Sequence, residues 1–316
     1  MLSKISKLIP KRLLDTILTV SKWLWILAVV AFAAVFIYRK WDAVGGLLKE
    51  LSLSSLLLAL GSMAVAKIFL SLNMHFTLRY EDLRLPFWDT FRVYNQSQIA
   101  KYIPGGIWHF VGKAAMLKNR QLDFNQIKNV MFLELIWILG GSLVFGCIVL
   151  SFSAGSAFLA SVFRDRIMPG LSLLVPLMIA VAVILSLRQG ISERLRYWVS
   201  QYKLHLLLVL NSAFLWIFIG LSFYMLCVPY NHEARLSFNY LAGLYSIAYL
   251  IGFIFPLAPA GIGLRESVLV FGLGGILDLD TAIVIAGVNR LIFVVVELIL
   301  LFACIAPDRS VKKRSL

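Results

Sequence analysis

Long apolar runs separated by short, mostly basic connections set the pattern of this chain. Runs over 23–38, 53–76, 130–152, 169–187, 205–228, 238–255 and 281–306 are close to the length needed to cross a bilayer's hydrocarbon core as helices. A shorter apolar helix is predicted over 264–277. Residues 1–22 read as a basic amphipathic helix, with Leu8, Leu13, Leu14, Ile17 and Leu18 opposite the lysines. Residues 188–204 read as a surface helix, because Ile191, Leu195 and Trp198 repeat at helical spacing among arginines.

Two stretches break the pattern. The first is Lys101-Tyr102-Ile103-Pro104-Gly105-Gly106-Ile107-Trp108-His109-Phe110-Val111-Gly112-Lys113. Pro104 removes a backbone donor and restricts the residue before it, so no regular helix runs through. The second spans 256–266, where Pro256, Pro259, Gly261 and Gly263 precede Arg265 and Glu266. Interrupted backbone at membrane depth survives only where protein covers it or it lines a watery cavity. We read 91–117 as a hairpin that enters and leaves on one side. Pro104-Gly105-Gly106-Ile107 can be laid over Pro259-Ala260-Gly261-Ile262, and paired broken segments in two halves point to a transporter site. Against this stands the commonness of Pro-x-Gly in loops.

Composition agrees with a membrane protein. Charged residues make up 15% of the 316, 60% are hydrophobic, and mean hydropathy is +0.87. Soluble domains carry roughly 25% charge. A net charge of +14 would suggest nucleic acid in a soluble protein. Here it fits cytoplasmic loops beside anionic lipid, and no nucleic-acid partner is expected. With the N-terminus inside, the predicted inner segments hold 21 of the 30 Lys and Arg residues and the outer connections six. Both termini are therefore expected on the cytoplasmic side. That arrangement needs the 264–277 helix as an eighth crossing; a re-entrant 256–277 with an outside tail is the alternative. Cys147, Cys227 and Cys304 lack metal-like spacing and read as core residues. The N-terminal region reads as an uncleaved signal anchor.

Candidate chemistry lies with the ionisable residues of the breaks and spans. Lys101 and Lys113 flank the first break; they either snorkel at a boundary or hold a lipid phosphate, aided by helical backbone donors after Gly106. Trp108 stacks on a ligand or marks the interface, and His109 reads as structural. Glu266 suits a helix N-terminus, whereas Arg265 there opposes the helix dipole and so needs a carboxylate or phosphate partner. Glu134, Arg290, Glu297 and Lys67 lie within spans, where an Arg or Lys at a helix centre costs about 2.5–3.5 kcal/mol on insertion scales. They must pair or line a cavity. Arg290 and Glu297, seven apart, share one helix face. P-loop, HExxH, GxSxG and CxxC motifs do not occur.

The KYIPGGIWHFVGK block, Glu134, the PAGIGLRES block and Arg290 together resemble the lysylphosphatidylglycerol synthase transmembrane-region family. The resemblance covers about residues 20–305. By position, Lys101, Pro104, Gly105, Trp108, Gly112, Glu134, Gly261, Gly263, Arg265, Glu266 and Arg290 match its pattern. Gly106, His109 and Leu135 depart from it. The resemblance implies a bundle with re-entrant segments that moves or handles lipids. In the large two-part members this region is thought to flip aminoacylated phosphatidylglycerol made by a soluble synthase domain. Small stand-alone members are associated with isoprenoid-linked or glycolipid pathways. Aminoacyl transfer is not carried over to this chain.

The expectation is an all-α polytopic membrane helix bundle with about eight transmembrane helices and broken segments near 91–117 and 256–277. A basic N-terminus over 1–22 and a basic tail over 307–316 would flank one flippase-like domain over 23–306. The expected function is translocation of a phosphate-bearing or isoprenoid-linked lipid in the inner membrane. Lys101, Pro104, Gly105, Trp108, Lys113, Gly261, Gly263, Arg265 and Glu266 would bind it, and Glu134, Arg290 and Glu297 would form a charged network. No catalytic residue, cofactor or metal is assigned. An anionic phospholipid or isoprenoid phosphate is the expected ligand, and a homodimer or a lipid-pathway enzyme is the protein partner considered. The alternatives are a non-transporting lipid-binding scaffold and a membrane-embedded transferase, whose base and metal would fall to Glu81 and Asp82.

Overall fold

A computed structural model describes residues 49–102, 107–153, 200–231, 236–254, 261 and 263–305, with isolated positions at 35, 38, 45 and 46. The expected span over 169–187 and nearly all of that over 23–38, the surface helix up to residue 199, the termini over 1–22 and 307–316, residues 256–260, and Pro104, Gly105 and Gly106 lie outside the described residues; residues 202–204 of the expected surface helix belong instead to the helix Tyr202–Cys227. Every regular element among the described residues is helical. We number the α-helices α1 (Leu53–Tyr80), α2 (Phe87–Gln98), α3 (Trp108–Lys118), α4 (Phe124–Ser151), α5 (Tyr202–Cys227), α6 (Phe238–Ile254), α7 (Leu264–Leu273) and α8 (Leu279–Ile305). Short 3-10 turns follow α2 at Ile99–Tyr102 and α5 at Val228–Tyr230. Among these residues, Leu53–Tyr80, Phe124–Ser151, Tyr202–Tyr230 and Leu279–Cys304 are long and apolar enough to cross a membrane. The protein is a polytopic helical bundle.

Local chemistry explains where the helices begin. Ser52 caps α1 by accepting from the Ser55 amide at 3.1 Å. The helix runs four residues past the expected end, to Tyr80. α4 starts at Phe124, six residues before the expected span, because Asp123 and Gln126 form a reciprocal capping box. Such a box satisfies amides that would otherwise be orphaned at a helix start. α7 is shorter than the helix expected over 264–277. Its ten residues end at Leu273 and are followed by a turn closed by Ile276 and Leu277 amides on the Leu273 carbonyl. Ten helical residues rise about 15 Å, half a hydrocarbon core.

α1 and α5 form the most extensive helix pair. Ser222 donates to the Ala59 carbonyl at 2.8 Å and Asn211 to the Phe69 carbonyl at 3.0 Å, which makes the pair antiparallel. In lipid the hydrophobic effect does not drive helices together, so small residues and interhelical hydrogen bonds carry much of the association. Glycines serve that purpose here. A Cβ on Gly220 would sit 2.4 Å from the Ala242 Cβ, so α5 and α6 touch backbone to backbone. Gly146 and Gly243 likewise let α4 and α6 close against each other.

α2 and α3 pack on one another on either side of the first break, as a hairpin. α2 is held between α1 and α8. Asn95 donates to Ser71 of α1 at 3.3 Å, and Gln96 donates to the Cys304 carbonyl of α8 at 3.2 Å. This docking carries Lys101 and Tyr102 into the bundle.

Candidate functional site

On α8, Arg290, Phe293 and Glu297 follow at steps of three and four, so they line one face. Four cations gather around the Phe293 ring. The Lys67 ammonium lies 3.6 Å from its centroid, the Lys101 ammonium 4.6 Å, and the guanidinium carbons of Arg265 and Arg290 4.9 and 5.8 Å. They come from α1, the turn before the first break, the helix after the second break, and α8. A ring face attracts each cation by about 0.5–2 kcal/mol, too little to offset the mutual repulsion of four. Carboxylates must contribute, and two do.

Glu297 accepts from both Lys67 and Lys101 through Oε1, and from the Tyr102 hydroxyl through Oε2 at 2.7 Å. Glu266 serves the arginines. Its Oε1 lies 3.4 Å from Arg265 Nη2 and 3.7 Å from Arg290 Nη1. Its Oε2 accepts from the Gly263 amide at 2.7 Å and so caps α7. The side chains are withdrawn from solvent: exposure is 1% for Lys67, 11% for Lys101, 4% for Arg265, 12% for Arg290 and 3% for Glu297. Arg265 also faces the Tyr245 ring at 5.5 Å, and Arg290 the Tyr102 ring at 5.8 Å. Arg265 Nε and the Tyr245 hydroxyl have no hydrogen-bond partner among the described residues.

Glycine makes the second wall of the site. Gly261 and Gly263 have φ of +70° and +90°, a region that L side chains avoid. A Cβ on Gly261 would lie 2.8 Å from the Gly252 carbonyl oxygen. A Cβ on Gly252 would in turn lie 3.0 Å from the Arg265 Cβ. Gly261 and Arg265 thus press onto α6, and α7 starts with Arg265 facing the Phe293 ring.

A second buried pair lies between α3 and α4. Lys113 donates to Glu134 at 2.6 Å and sits 4.7 Å above the Tyr94 ring. Asn73 of α1 donates to the Glu134 backbone carbonyl at 3.1 Å. Glu134 Oε2 has no partner among the described residues.

The expected residues therefore separate into two groups. Lys101, Arg265, Glu266, Arg290 and Glu297 come together at Phe293, with Gly261 and Gly263 shaping the loop behind them. Lys113 and Glu134 pair with each other instead. Arg290 and Glu297 bond to different partners, which settles across the bundle a pairing that their spacing left open. Trp108 opens α3 and is half-buried. Lys67, Tyr102, Tyr245 and Phe293 were not foreseen as site residues. Lys67 had a signal, a lysine deep in a span; Phe293 had one in its 3–4 spacing between Arg290 and Glu297.

A family model described as the lysylphosphatidylglycerol synthase TM region matches residues 23–300. No curated protein matches the chain. The matched segment contains both breaks, the cation cluster around Phe293 and the Lys113–Glu134 pair, together with helices apolar enough to span a bilayer. The chain belongs to the lysylphosphatidylglycerol synthase transmembrane-region family, as an integral membrane protein of lipid-related function.

Proposed function

We propose that this protein is a flippase-like lipid translocase that binds the phosphate of a phospholipid or isoprenoid-linked lipid. The inner membrane, with both termini cytoplasmic, is its proposed setting; the Lys and Arg distribution supports that orientation. One observation carries the reading: the residues flanking two separate backbone breaks, Lys101 and Arg265, converge on the same buried ring, 4.6 and 4.9 Å from its centroid. A structural ion-pair network needs matched charge. This one brings four cations and two carboxylates together among the described residues, a basic lining that supports an anionic ligand.

The chemistry asked of the site is binding and release. Arg265 offers a planar donor set suited to phosphate oxygens, and Lys101 offers a mobile point charge. Glu297 holds the lysines in place between binding events and competes with the headgroup for them, which keeps affinity moderate. A carrier needs that balance, because a headgroup bound too tightly is not released.

The test is reconstitution. Purified protein in liposomes containing reporter-labelled anionic phospholipid should speed transbilayer movement. Lys101→Ala and Arg265→Ala should slow it roughly tenfold or more, with unchanged thermal unfolding; each loses a contact of a kind worth at least about 1.4 kcal/mol. Unchanged movement in both variants would remove the site assignment. A wild-type protein that binds lipid yet moves none would be a scaffold.

A further inference from the structure

Beside its cations the site holds buried hydrogen-bonding groups with nothing to bond. Arg265, Tyr245 and Asn289 are 4%, 0% and 0% exposed. The Arg265 Nε, the Tyr245 hydroxyl and both side-chain polar atoms of Asn289 have no hydrogen-bond partner among the described residues. We propose that Tyr245 and Asn289 are headgroup-binding residues. The Asn289 amide selects a phosphate whose neighbouring substituent carries a hydroxyl, as a polyol or sugar does, over one whose substituent is apolar or carries an ammonium. This rests on the anion-binding reading above and narrows it to a substrate class.

The three side chains come from α6, α7 and α8. The Arg265 guanidinium lies 5.5 Å from the Tyr245 ring centroid and 4.9 Å from that of Phe293. Phe223 of α5 packs against the same tyrosine ring at 5.4 Å, so the phenol is held in place. Asn289 stands one turn before Phe293, and residues 289, 293 and 297 follow at steps of four along one stripe of α8. Helical side chains lean toward the N-terminus, so the Phe293 ring covers the turn that carries Asn289. The adjoining Arg290 lies 3.7 Å from Glu266, which brings this turn beside the start of α7. Asn289 is thereby placed on the arginine side of the cluster.

Packing alone asks for no amide at this position. The nearby core residues of α8, Ile285, Ile292 and Val296, are apolar, and a buried amide left unbonded is costly. Its chemistry says what would satisfy it. An asparagine side chain offers donors at Nδ2 and an acceptor at Oδ1. An ionised phosphate has acceptors only and leaves Oδ1 bare. An ammonium has donors only and leaves Nδ2 bare. A hydroxyl both donates and accepts, so one hydroxyl, or two neighbouring ones, meets both atoms. Arg265 Nε and the Tyr245 hydroxyl are natural donors to the phosphate oxygens alongside. The pocket thus reads a phosphate and a hydroxyl side by side.

Two phosphodiester lipids of equal charge isolate the hydroxyl. The full chain in detergent is titrated with short-chain phosphatidylglycerol, short-chain phosphatidylmethanol and free glycerol phosphate. Phosphatidylglycerol should bind about tenfold or more tighter than phosphatidylmethanol, because a site built to hydrogen-bond a hydroxyl rejects the analogue lacking it. Asn289→Leu should bring the two lipids close to parity with no loss of thermal stability, since it removes an unbonded amide from the core. Tyr245→Phe should weaken both lipids severalfold and leave their ratio unchanged, as the loss of a phosphate donor does. Equal binding of the two lipids by the wild type overturns the hydroxyl selection and leaves anion binding standing. A preference that survives Asn289→Leu overturns the role of Asn289, and unchanged binding in Tyr245→Phe overturns that of Tyr245. Failure of all three probes to bind overturns both this proposal and the anion-binding reading. Glycerol phosphate binding as tightly as phosphatidylglycerol keeps the pocket and overturns its assignment to a lipid headgroup.

Discussion

Lys67 and Glu297, 230 residues apart in the chain, form a direct ion pair with side-chain exposures of 1% and 3%. Helix α1 is thereby joined to α8 at the level where Lys101 also arrives. Removing Glu297 strands two buried cations at once. Glu297→Ala should therefore cost about 3–5 kcal/mol, the range for breaking a buried pair by deleting one partner. Unfolding in a denaturing detergent series would read this. A loss below about 1 kcal/mol would mean that water reaches the cluster and screens it, as at exposed pairs.

The Lys113–Glu134 pair permits a cleaner cycle, because among the described residues each has one ionic partner. Either single alanine substitution should destabilise by about 3–5 kcal/mol. The double substitution should cost clearly less than the sum of the singles, since it leaves no buried charge behind. Additive losses would show that the pair does not couple α3 to α4.

Gly261 and Gly263 separate backbone strain from crowding. Both have positive φ, which costs a non-glycine residue roughly 1–2 kcal/mol. Of the two, Gly261 is the one whose new Cβ would also collide with backbone, at the Gly252 carbonyl; around Gly263 no described residue comes within 4 Å. Gly261→Ala should lower stability more than Gly263→Ala and should weaken anion binding as well, by shifting Arg265. Equal effects in a thermal-shift and binding comparison would place the loop off α6.

Helix packing makes the last contrast. Gly220→Ala forces a Cβ to 2.8 Å from the Ala242 Cα, so α5 and α6 must part; about 1–3 kcal/mol is expected for such overpacking. Among the described residues, nothing lies within 4 Å of the Gly140 Cβ position. Gly140→Ala should be neutral or stabilising by up to about 1 kcal/mol through helix propensity. The same denaturation series ranks the two.

Hydropathy alone marked the spans, since a run of apolar residues can satisfy its backbone in lipid only as a helix. The expected 53–76, 205–228, 238–255 and 281–306 fall on α1, α5, α6 and α8 within a few residues. Helix ends were less legible where a cap sets them: Asp123 and Gln126 start α4 early through two hydrogen bonds that no apolar pattern encodes. Proline and glycine marked the breaks, because their effects are local to the backbone.

What the sequence could not decide was who pairs with whom. Spacing placed Arg290 and Glu297 on one face of one helix, but their partners sit 24 residues before Arg290 and 230 and 196 before Glu297. Phe293 is one of 22 phenylalanines until four cations are seen around it. Periodicity and propensity act over a few residues and so declare helices, breaks and buried charge in one dimension. Ion pairing acts across space, and only the packing of α1, α2, α7 and α8 decided which of these charges meet.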